Sequence, residues 1–151
     1  MRAVIQRVKN ARVLVNGEIV SEIGKGVLVF LGIGKGDEKK DFEYIARKIT
    51  GLRIFEDENS KFNLSVKDIK GEVLIVSQFT LYGDCRKGRR PSFDSAESVE
   101  KSYEIYKEFL NYFKINYPEI PVKEGIFQAH MEIEILNDGP VTFLLDSKKL
   151  F

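Results

Sequence analysis

The chain has 151 residues, of which 43% are hydrophobic and 31% charged, and its formal net charge is +1. This length fits one domain, and the apolar content excludes a disordered chain, so we predict a single compact domain over residues 1–151. The single cysteine, Cys85, excludes an internal disulfide, the charged N-terminus is unlike a signal peptide, and no apolar run approaches a membrane span. We therefore expect a cytoplasmic protein without membrane contact.

The first third of the chain contains signals for a hairpin, a strand and a helix. Apolar runs within residues 13–20 flank Asn16-Gly17, the pair that most favours a two-residue hairpin turn. Residues 26–32 form a continuous apolar run that predicts a buried strand. Asp37 is typical of a helix cap. An apolar stripe at helical spacing follows it, formed by Phe42, Ile45, Ile49 and Leu52.

The remaining elements complete an α+β pattern. Residues 73–76 predict a second buried strand, and a second amphipathic helix is predicted from near Asp94, with Glu97 as its capping-box partner, to Pro118. The alternating tail predicts two strands around a turn at residues 137–140. The predicted fold is a mainly antiparallel, barrel-like sheet with two amphipathic helices. The predicted stripe of the second helix comprises Val99, Tyr103, Tyr106, Leu110, Phe113 and Tyr117.

Three features that often carry chemistry are more consistent with structural roles. The glycines of residues 32–36 lie between a strand and a helix, but Asp37 replaces the third glycine of a dinucleotide-binding loop and would repel a phosphate. His130 is the only histidine, which excludes a multi-histidine metal site, and it falls on a predicted strand. Cys85 lies beside cations, but no activating partner can be assigned to it.

Two polar segments and one cationic segment remain as candidate sites. Residues 77–84 place hydroxyls and an amide at the end of a buried strand, where convergent polar groups often form a site. Residues 137–142 form either a β-turn or a functional element. The basic loop, Arg86-Lys87-Gly88-Arg89-Arg90, has four cations in five residues and fits either phosphate binding or a solvated loop.

Taken together, these segments resemble the signatures of the D-aminoacyl-tRNA deacylase family. The first signature is Ser77-Gln78-Phe79-Thr80-Leu81-Tyr82-Gly83-Asp84, followed by residues 87–93, and the second is Asn137-Asp138-Gly139-Pro140-Val141-Thr142. Residues 1–8 and the region of Gly17, Gly26 and Gly32 are also similar, so the resemblance spans essentially the whole chain. Cys85 and Arg86 are not carried over from the family pattern.

The resemblance implies an esterase that acts on the aminoacyl ester at the terminal adenosine of tRNA, with no metal ion and no nucleotide or other cofactor. Ser77, Gln78, Phe79 and Thr80 then form the catalytic segment, and the backbone amides near Phe79 and Thr80 hold the carbonyl oxygen as it gains charge. Thr80 has no histidine nearby in sequence to activate it, so an orienting role is expected. The resemblance implies RNA-assisted catalysis, in which the substrate's ribose hydroxyl helps to activate the attack.

The resemblance also implies a homodimer whose sites are completed across the interface. Gly139-Pro140 corresponds to a Gly-cis-Pro element that enters the partner's pocket, Arg7 to the residue that steadies it, and Met131 to a lining residue. Main-chain atoms then reject L-amino acids, and glycine partly escapes this filter. Contact with tRNA is expected from Lys87, Arg89 and Arg90.

Two other classes of protein remain open on the sequence. A non-catalytic RNA-binding module would use the basic loop for phosphate contacts and would protect D-aminoacyl-tRNA, whereas a deacylase would consume it. A nucleotide-dependent enzyme built on residues 32–36 is less consistent with the sequence. It would be excluded if ATP and NAD leave the melting temperature unchanged.

Overall fold

The computed structural model describes residues 1–151 and has the predicted α+β architecture, with two α-helices and a mostly stranded, barrel-like sheet. A short 3-10 turn, Phe79–Tyr82, follows the sixth strand. No helix is both long and apolar enough to cross a membrane. The strands and helices are β1 (Arg2–Val15), β2 (Glu18–Ile23), β3 (Gly26–Gly32), α1 (Lys39–Gly51), β4 (Phe55–Glu56), β5 (Phe62–Leu64), β6 (Glu72–Ser77), α2 (Val99–Asn116), β7 (Val122–Glu124) and β8 (Glu132–Asp146).

The long strand β1 organises the main sheet. It pairs antiparallel with β8 on one side, and with β3 and then β2 on the other. Strand β3 continues the sheet through parallel pairing with β6, which pairs in parallel with β7. Strands β4 and β5 form a separate two-stranded sheet. Because β8 pairs only with β1, one of its edges has no strand neighbour.

The central strands β3 and β6 are buried on both faces of the sheet, which explains their continuous apolar runs. Alternate residues of β3, such as Val29, pack with both helices in the larger hydrophobic cluster, where Phe42 of α1 contacts Phe109 of α2 at 6.4 Å between ring centroids. The intervening residues, such as Leu28, belong to a smaller cluster with Leu74. This alternation follows from the two-residue period of a strand.

The predicted hairpin is confirmed, and its turn has the expected geometry. Asn16 and Gly17 join β1 to β2 with φ values of 51° and 80°. Positive φ at both turn positions matches the right-handed twist of the strands, and these two residue types tolerate it. The strand that enters the turn is longer than predicted, because β1 already begins at Arg2.

The prediction that Asp37 caps α1 was wrong. The cap is Glu38, which forms a capping box with Asp41, while the Asp37 carboxylate is buried and accepts hydrogen bonds from the Met1 ammonium and the Gly34 amide. Asp37 therefore ties the start of α1 to the N-terminus.

The capping-box residue Asp41 has a shifted pKa. Burial raises the pKa of Asp41, but hydrogen bonds from Lys148, Ser147 and the Glu38 amide outweigh burial and lower it to about 2.

The start of α2 and its apolar stripe also differ from the prediction. The helix begins at Val99 with Ser98 as its cap, because Glu97 accepts the amide of Ser98 and does not pair with Asp94. Val99 and Tyr103 are exposed. The buried face of the helix comprises Ile105, Tyr106, Phe109, Leu110 and Phe113.

The tail is one strand and not the two predicted. Gln6 pairs with Thr142 and Val8 with Asn137, so Arg7 alone faces residues 138–141, which form a bulge in β8. Both halves of β8 run antiparallel to β1, which a hairpin turn at this point would not allow. His130, predicted to lie on a strand, is in the loop before β8.

Candidate functional site

A cavity of about 480 Å³ lies where β6 ends, beside the start of α2 and the loop before β8. Three residues of the predicted catalytic segment, Ser77, Gln78 and Phe79, line it, and so does the predicted lining residue Met131. Thr80 is the next residue of the chain but is not part of the lining. The other lining residues are Leu31, Ile33, Val76, Glu97, Val99, Ser102, Phe127, Gln128, Ala129 and Ile133.

The transition from β6 to the 3-10 turn positions the predicted catalytic segment. The Gln78 amide donates to the carbonyl of Leu31 at 2.7 Å, which anchors this transition to β3. Phe79 and Thr80 then begin the 3-10 turn, and the first amides of a helical turn have no acceptor within it. The Gln78 side-chain amide donates to the Thr80 hydroxyl, which fixes the orientation of both side chains.

The cavity contains one ionisable side chain, the carboxylate of Glu97. The backbone amide of Ser98 holds the pKa of Glu97 below its usual range, burial opposes this effect, and the Lys101 ammonium adds to the lowering. A general base works best with a pKa near the operating pH, so this carboxylate is poorly suited to that role. Apart from this carboxylate, the lining offers hydroxyls, amides and apolar surface, and no histidine is among its residues.

Arg7 and the β8 bulge form a second group of predicted site residues. The Arg7 guanidinium is buried and donates from Nε to the carbonyl of Asp138 at 2.7 Å and from Nη1 to the carbonyl of Ile54 at 2.9 Å. The Gly139–Pro140 peptide bond is cis, as the resemblance implies, and both residues are exposed. Neither Arg7 nor Gly139-Pro140 lines the cavity.

Asn137 closes the bulge from within the strand. Its Oδ1 accepts the amide of Val141 at 2.9 Å, which links the two ends of the bulge. Its Nδ2 and the side-chain amide of Gln6 both approach the Thr142 hydroxyl, at 3.4 Å and 3.3 Å. The exposed Gly139-Pro140 is therefore held by side chains on both strands.

The basic loop is exposed and is closed at its base. Asp84 and Ser92 exchange two backbone hydrogen bonds, at 2.7 Å and 3.0 Å. Arg86 folds back onto the Asp84 carboxylate at 2.6 Å, whereas Lys87, Arg89 and Arg90 form no ion pair. Three of the four cations are therefore free to meet an external anion.

Of the features judged structural from the sequence, only the loop of residues 32–36 contributes to the cavity, through Ile33. His130 and Cys85 are exposed and do not line it. In the loop of residues 32–36, the Gly34 amide is already bound by the Asp37 carboxylate at 2.7 Å, which leaves that amide unavailable to a phosphate. No group of three histidine, cysteine, aspartate or glutamate side chains is arranged to hold a metal ion.

Sequence reasoning missed the contribution of α2 and of residues 127–129 to the cavity. Glu97, Val99 and Ser102 reach it because the isolated β-bridge of Gly34 with Ala96, together with the Glu97 amide bond to the Ile33 carbonyl, brings the start of α2 against the end of β3. These contacts join distant parts of the chain. The sequence carried no local signal for them, because Val99 fits the predicted apolar stripe of the helix and its exposure is seen only in the structure.

Comparison with known proteins decides the family. The family model described as D-Tyr-tRNA(Tyr) deacylase matches residues 4–146. A D-aminoacyl-tRNA deacylase of Thermosipho africanus is 60% identical over 100% of both chains, and one of Dictyoglomus turgidum is 57% identical over 99% of this chain and 95% of its own. The chain belongs to the D-aminoacyl-tRNA deacylase family. This finding confirms the resemblance, and the family consists of hydrolases that act on the ester bond of aminoacyl-tRNA.

Solved structures of similar proteins share the fold. A structure titled "c-Myc DNA Unwinding Element Binding Protein" is 45% identical, with a TM-score of 0.92 over 97% of this chain and 98% of its own. A probable eukaryotic D-amino acid tRNA deacylase is 18% identical, with a TM-score of 0.77 over 95% of this chain and 97% of its own. The second likeness concerns the fold alone. The deacylase fold is therefore retained at low sequence identity.

Proposed function

We propose that this chain hydrolyses the ester bond of D-aminoacyl-tRNA and releases free tRNA and the D-amino acid. The observation that carries the proposal is the cavity at the end of β6, which Ser77, Gln78 and Phe79 of the family signature line together with Met131. Its mostly apolar lining suits an amino-acid side chain or a nucleobase, and its few polar groups suit an ester.

Catalysis on this proposal relies on main-chain groups and on the substrate itself. The amides of Phe79 and Thr80 receive the carbonyl oxygen as it gains negative charge, since they have no acceptor within their own turn. The ribose hydroxyl of the terminal adenosine assists the attack of water, because the cavity offers no side chain suited to a general base. Thr80 accepts a bond from Gln78 and orients the substrate without forming an acyl intermediate.

The active form is a homodimer built on the free edge of β8. That strand spans Glu132–Asp146, lacks a neighbour on one edge and exposes Ile135, Leu136 and Leu144. An edge of this length with exposed apolar side chains favours a second chain as its cover. Light scattering should then give about twice the 17.3 kDa mass of one chain.

Chiral selection comes from the β8 bulge of the partner subunit. Gly139 and Pro140 are exposed, and Arg7 and Asn137 hold the bulge. Placed in the partner's cavity, this main chain collides with an L-substituent at the substrate α-carbon and cannot rotate away as a side chain can. A D-substituent points away, and glycine, which has no substituent, is partly accepted, so mischarged glycyl-tRNA is a second substrate.

The free cations of the basic loop contact the tRNA backbone. Lys87, Arg89 and Arg90 are exposed and unpaired, and phosphate contacts of this kind supply affinity without reading sequence.

The decisive experiment compares matched D-, L- and glycyl-tRNA substrates with purified protein, with and without a chelator. Rapid release of the D-amino acid, slower release of glycine and no release of the L-amino acid are expected. Equal hydrolysis of D- and L-substrates would contradict the proposed chiral selection. Loss of activity with the chelator would contradict a metal-free mechanism.

The competing function is nucleic-acid binding without turnover. One relative, at 45% identity, carries a title that names a DNA-element-binding protein, so this possibility rests on more than the basic loop. The same assay separates the two functions. A protein that binds D-aminoacyl-tRNA and slows its spontaneous hydrolysis would exclude the proposed deacylase.

A further inference from the structure

Two aromatic side chains remain exposed beside the cavity. Phe79 is 59% exposed and Phe93 is 38% exposed, and neither belongs to the hydrophobic clusters that stabilise the fold. Their ring centroids are 5.0 Å apart in an edge-to-face arrangement. Exposed aromatic rings in contact with each other, at the mouth of a cavity, indicate a binding surface.

The pair is held in place by the backbone around it. Backbone hydrogen bonds between Asp84 and Ser92 close the base of the basic loop directly before Phe93. The Phe93 ring packs on Gly83, where an added Cβ would lie 3.1 Å from Cε1 of Phe93. Phe79 stands at the start of the 3-10 turn anchored to β3 through Gln78. The two rings are therefore a preformed surface.

The cavity, the aromatic pair and the basic loop adjoin one another, and the basic loop lies between Phe79 and Phe93 in sequence. Phe79 belongs to both the cavity lining and the pair, while Phe93 belongs to the pair and adjoins the closed base of the basic loop. The free cations of that loop, Lys87, Arg89 and Arg90, lie beyond the Asp84–Ser92 closure. Aromatic rings next to a positively charged surface are the combination that binds single-stranded nucleic acid.

We propose that the Phe79–Phe93 pair is a stacking site for the unpaired nucleotide that precedes the terminal adenosine of tRNA. This inference rests on the proposed function, because it takes the cavity as the site of the terminal aminoacyl-adenosine. With the terminal aminoacyl-adenosine in the cavity, the base of the preceding nucleotide meets the aromatic pair at the mouth. The phosphates farther from the 3′ end then run toward the basic loop. Charge complementarity between the loop and the RNA backbone fixes the occupant as RNA.

The test uses three D-tyrosyl esters of increasing length: adenosine, the dinucleotide cytidylyl-adenosine and full-length tRNA. Phe93→Leu removes stacking from an exposed position, Phe93→Tyr retains it, and Phe151→Leu is a matched control at another exposed phenylalanine. We expect Phe93→Leu to lower kcat/KM for the dinucleotide ester and for tRNA by roughly fivefold to a hundredfold, the range found for base–aromatic stacking. The adenosine ester should be hydrolysed as by the wild type, and Phe93→Tyr and Phe151→Leu should behave as the wild type throughout.

An equal effect of Phe93→Leu on all three esters, or no effect on any, would overturn the stacking site. So would a halved mass of Phe93→Leu in light scattering, because the pair would then lie between two copies of the chain. If the wild type hydrolyses none of the esters, the proposed function fails. The stacking site is then tested independently by measuring the affinity for tRNA. Phe93→Leu should then weaken the binding of uncharged tRNA severalfold, but not of tRNA trimmed of its two terminal nucleotides, and equal binding of both would refute it.

Discussion

Replacing Arg7 by methionine should loosen the β8 bulge and impair both stability and selectivity. The buried guanidinium donates to the carbonyls of Asp138 and Ile54, and hydrogen bonds to charged groups contribute about 1.5–3 kcal/mol each. Methionine removes both hydrogen bonds but also removes a buried charge. The free energy of unfolding should therefore fall by about 3 kcal/mol. For a domain of this size, that corresponds to a fall in melting temperature of roughly 6–12 °C.

Arg7→Lys is the matched control. It retains the charge, but a single ammonium cannot reproduce the forked guanidinium that reaches two carbonyls. Arg7→Lys should therefore lower the free energy of unfolding by about half as much as Arg7→Met. Urea unfolding gives the free energies, and the rates for D- and L-aminoacyl-tRNA give the selectivity. A bulge displaced by about 1 Å can cost up to about a hundredfold in rate, so D-substrate hydrolysis should fall and the D/L ratio should narrow. An Arg7→Met variant with wild-type stability and D/L ratio would refute the role of Arg7.

Three further outcomes are expected. Thr80→Ala should reduce hydrolysis without abolishing it, because removal of a covalent nucleophile costs several orders of magnitude, and a trapped acyl-Thr80 would contradict this. The folded pKa of Asp41 lies below its unfolded value near 4, so its contribution to stability is present above about pH 4 and is lost as the pH falls toward 2. Lys148→Met should therefore lower the melting temperature at pH 6 but much less at pH 2. An equal fall in melting temperature at both pH values would contradict a stabilising Lys148–Asp41 ion pair. Neutralising the three free cations of the basic loop should flatten the log–log salt dependence of tRNA binding by roughly one unit per lost phosphate contact, and an unchanged slope would make it a solvated loop.

Predictions from the sequence succeeded where a local signal determines the structure. Asn16-Gly17 specifies its hairpin turn through backbone conformations that few other residues accept, and no distant contact competes with it. The apolar runs of β3 and β6 likewise predict strands buried on both faces. The segment of residues 77–84 was predicted to follow a buried strand, and β6 does end at Ser77, beside the cavity that Ser77, Gln78 and Phe79 line.

The errors arose where long-range contacts override a local signal. Asn137-Asp138-Gly139-Pro140 has the composition of a turn, but β1 pairs with β8 on both sides of it, and Arg7 binds Asp138 across 131 positions of sequence. Asp37 precedes a helix and has the residue type of a cap, but the buried Met1 ammonium binds its carboxylate instead. The sequence alone does not show which of two acceptable partners lies closer in space.

The candidate site is concentrated where regular hydrogen bonding is interrupted. One interruption is the 3-10 turn after β6, and the other is the bulge opposite Arg7. In regular strands and helices the backbone amides and carbonyls are hydrogen-bonded to one another. Main-chain groups are therefore available to a ligand mainly where this bonding is interrupted. A site that acts through main-chain groups depends most on the side chains that hold the chain in position. On the proposed mechanism these side chains are Arg7 and Asn137, which hold the bulge, and their substitution should therefore affect the chemistry more than the loss of the Thr80 hydroxyl.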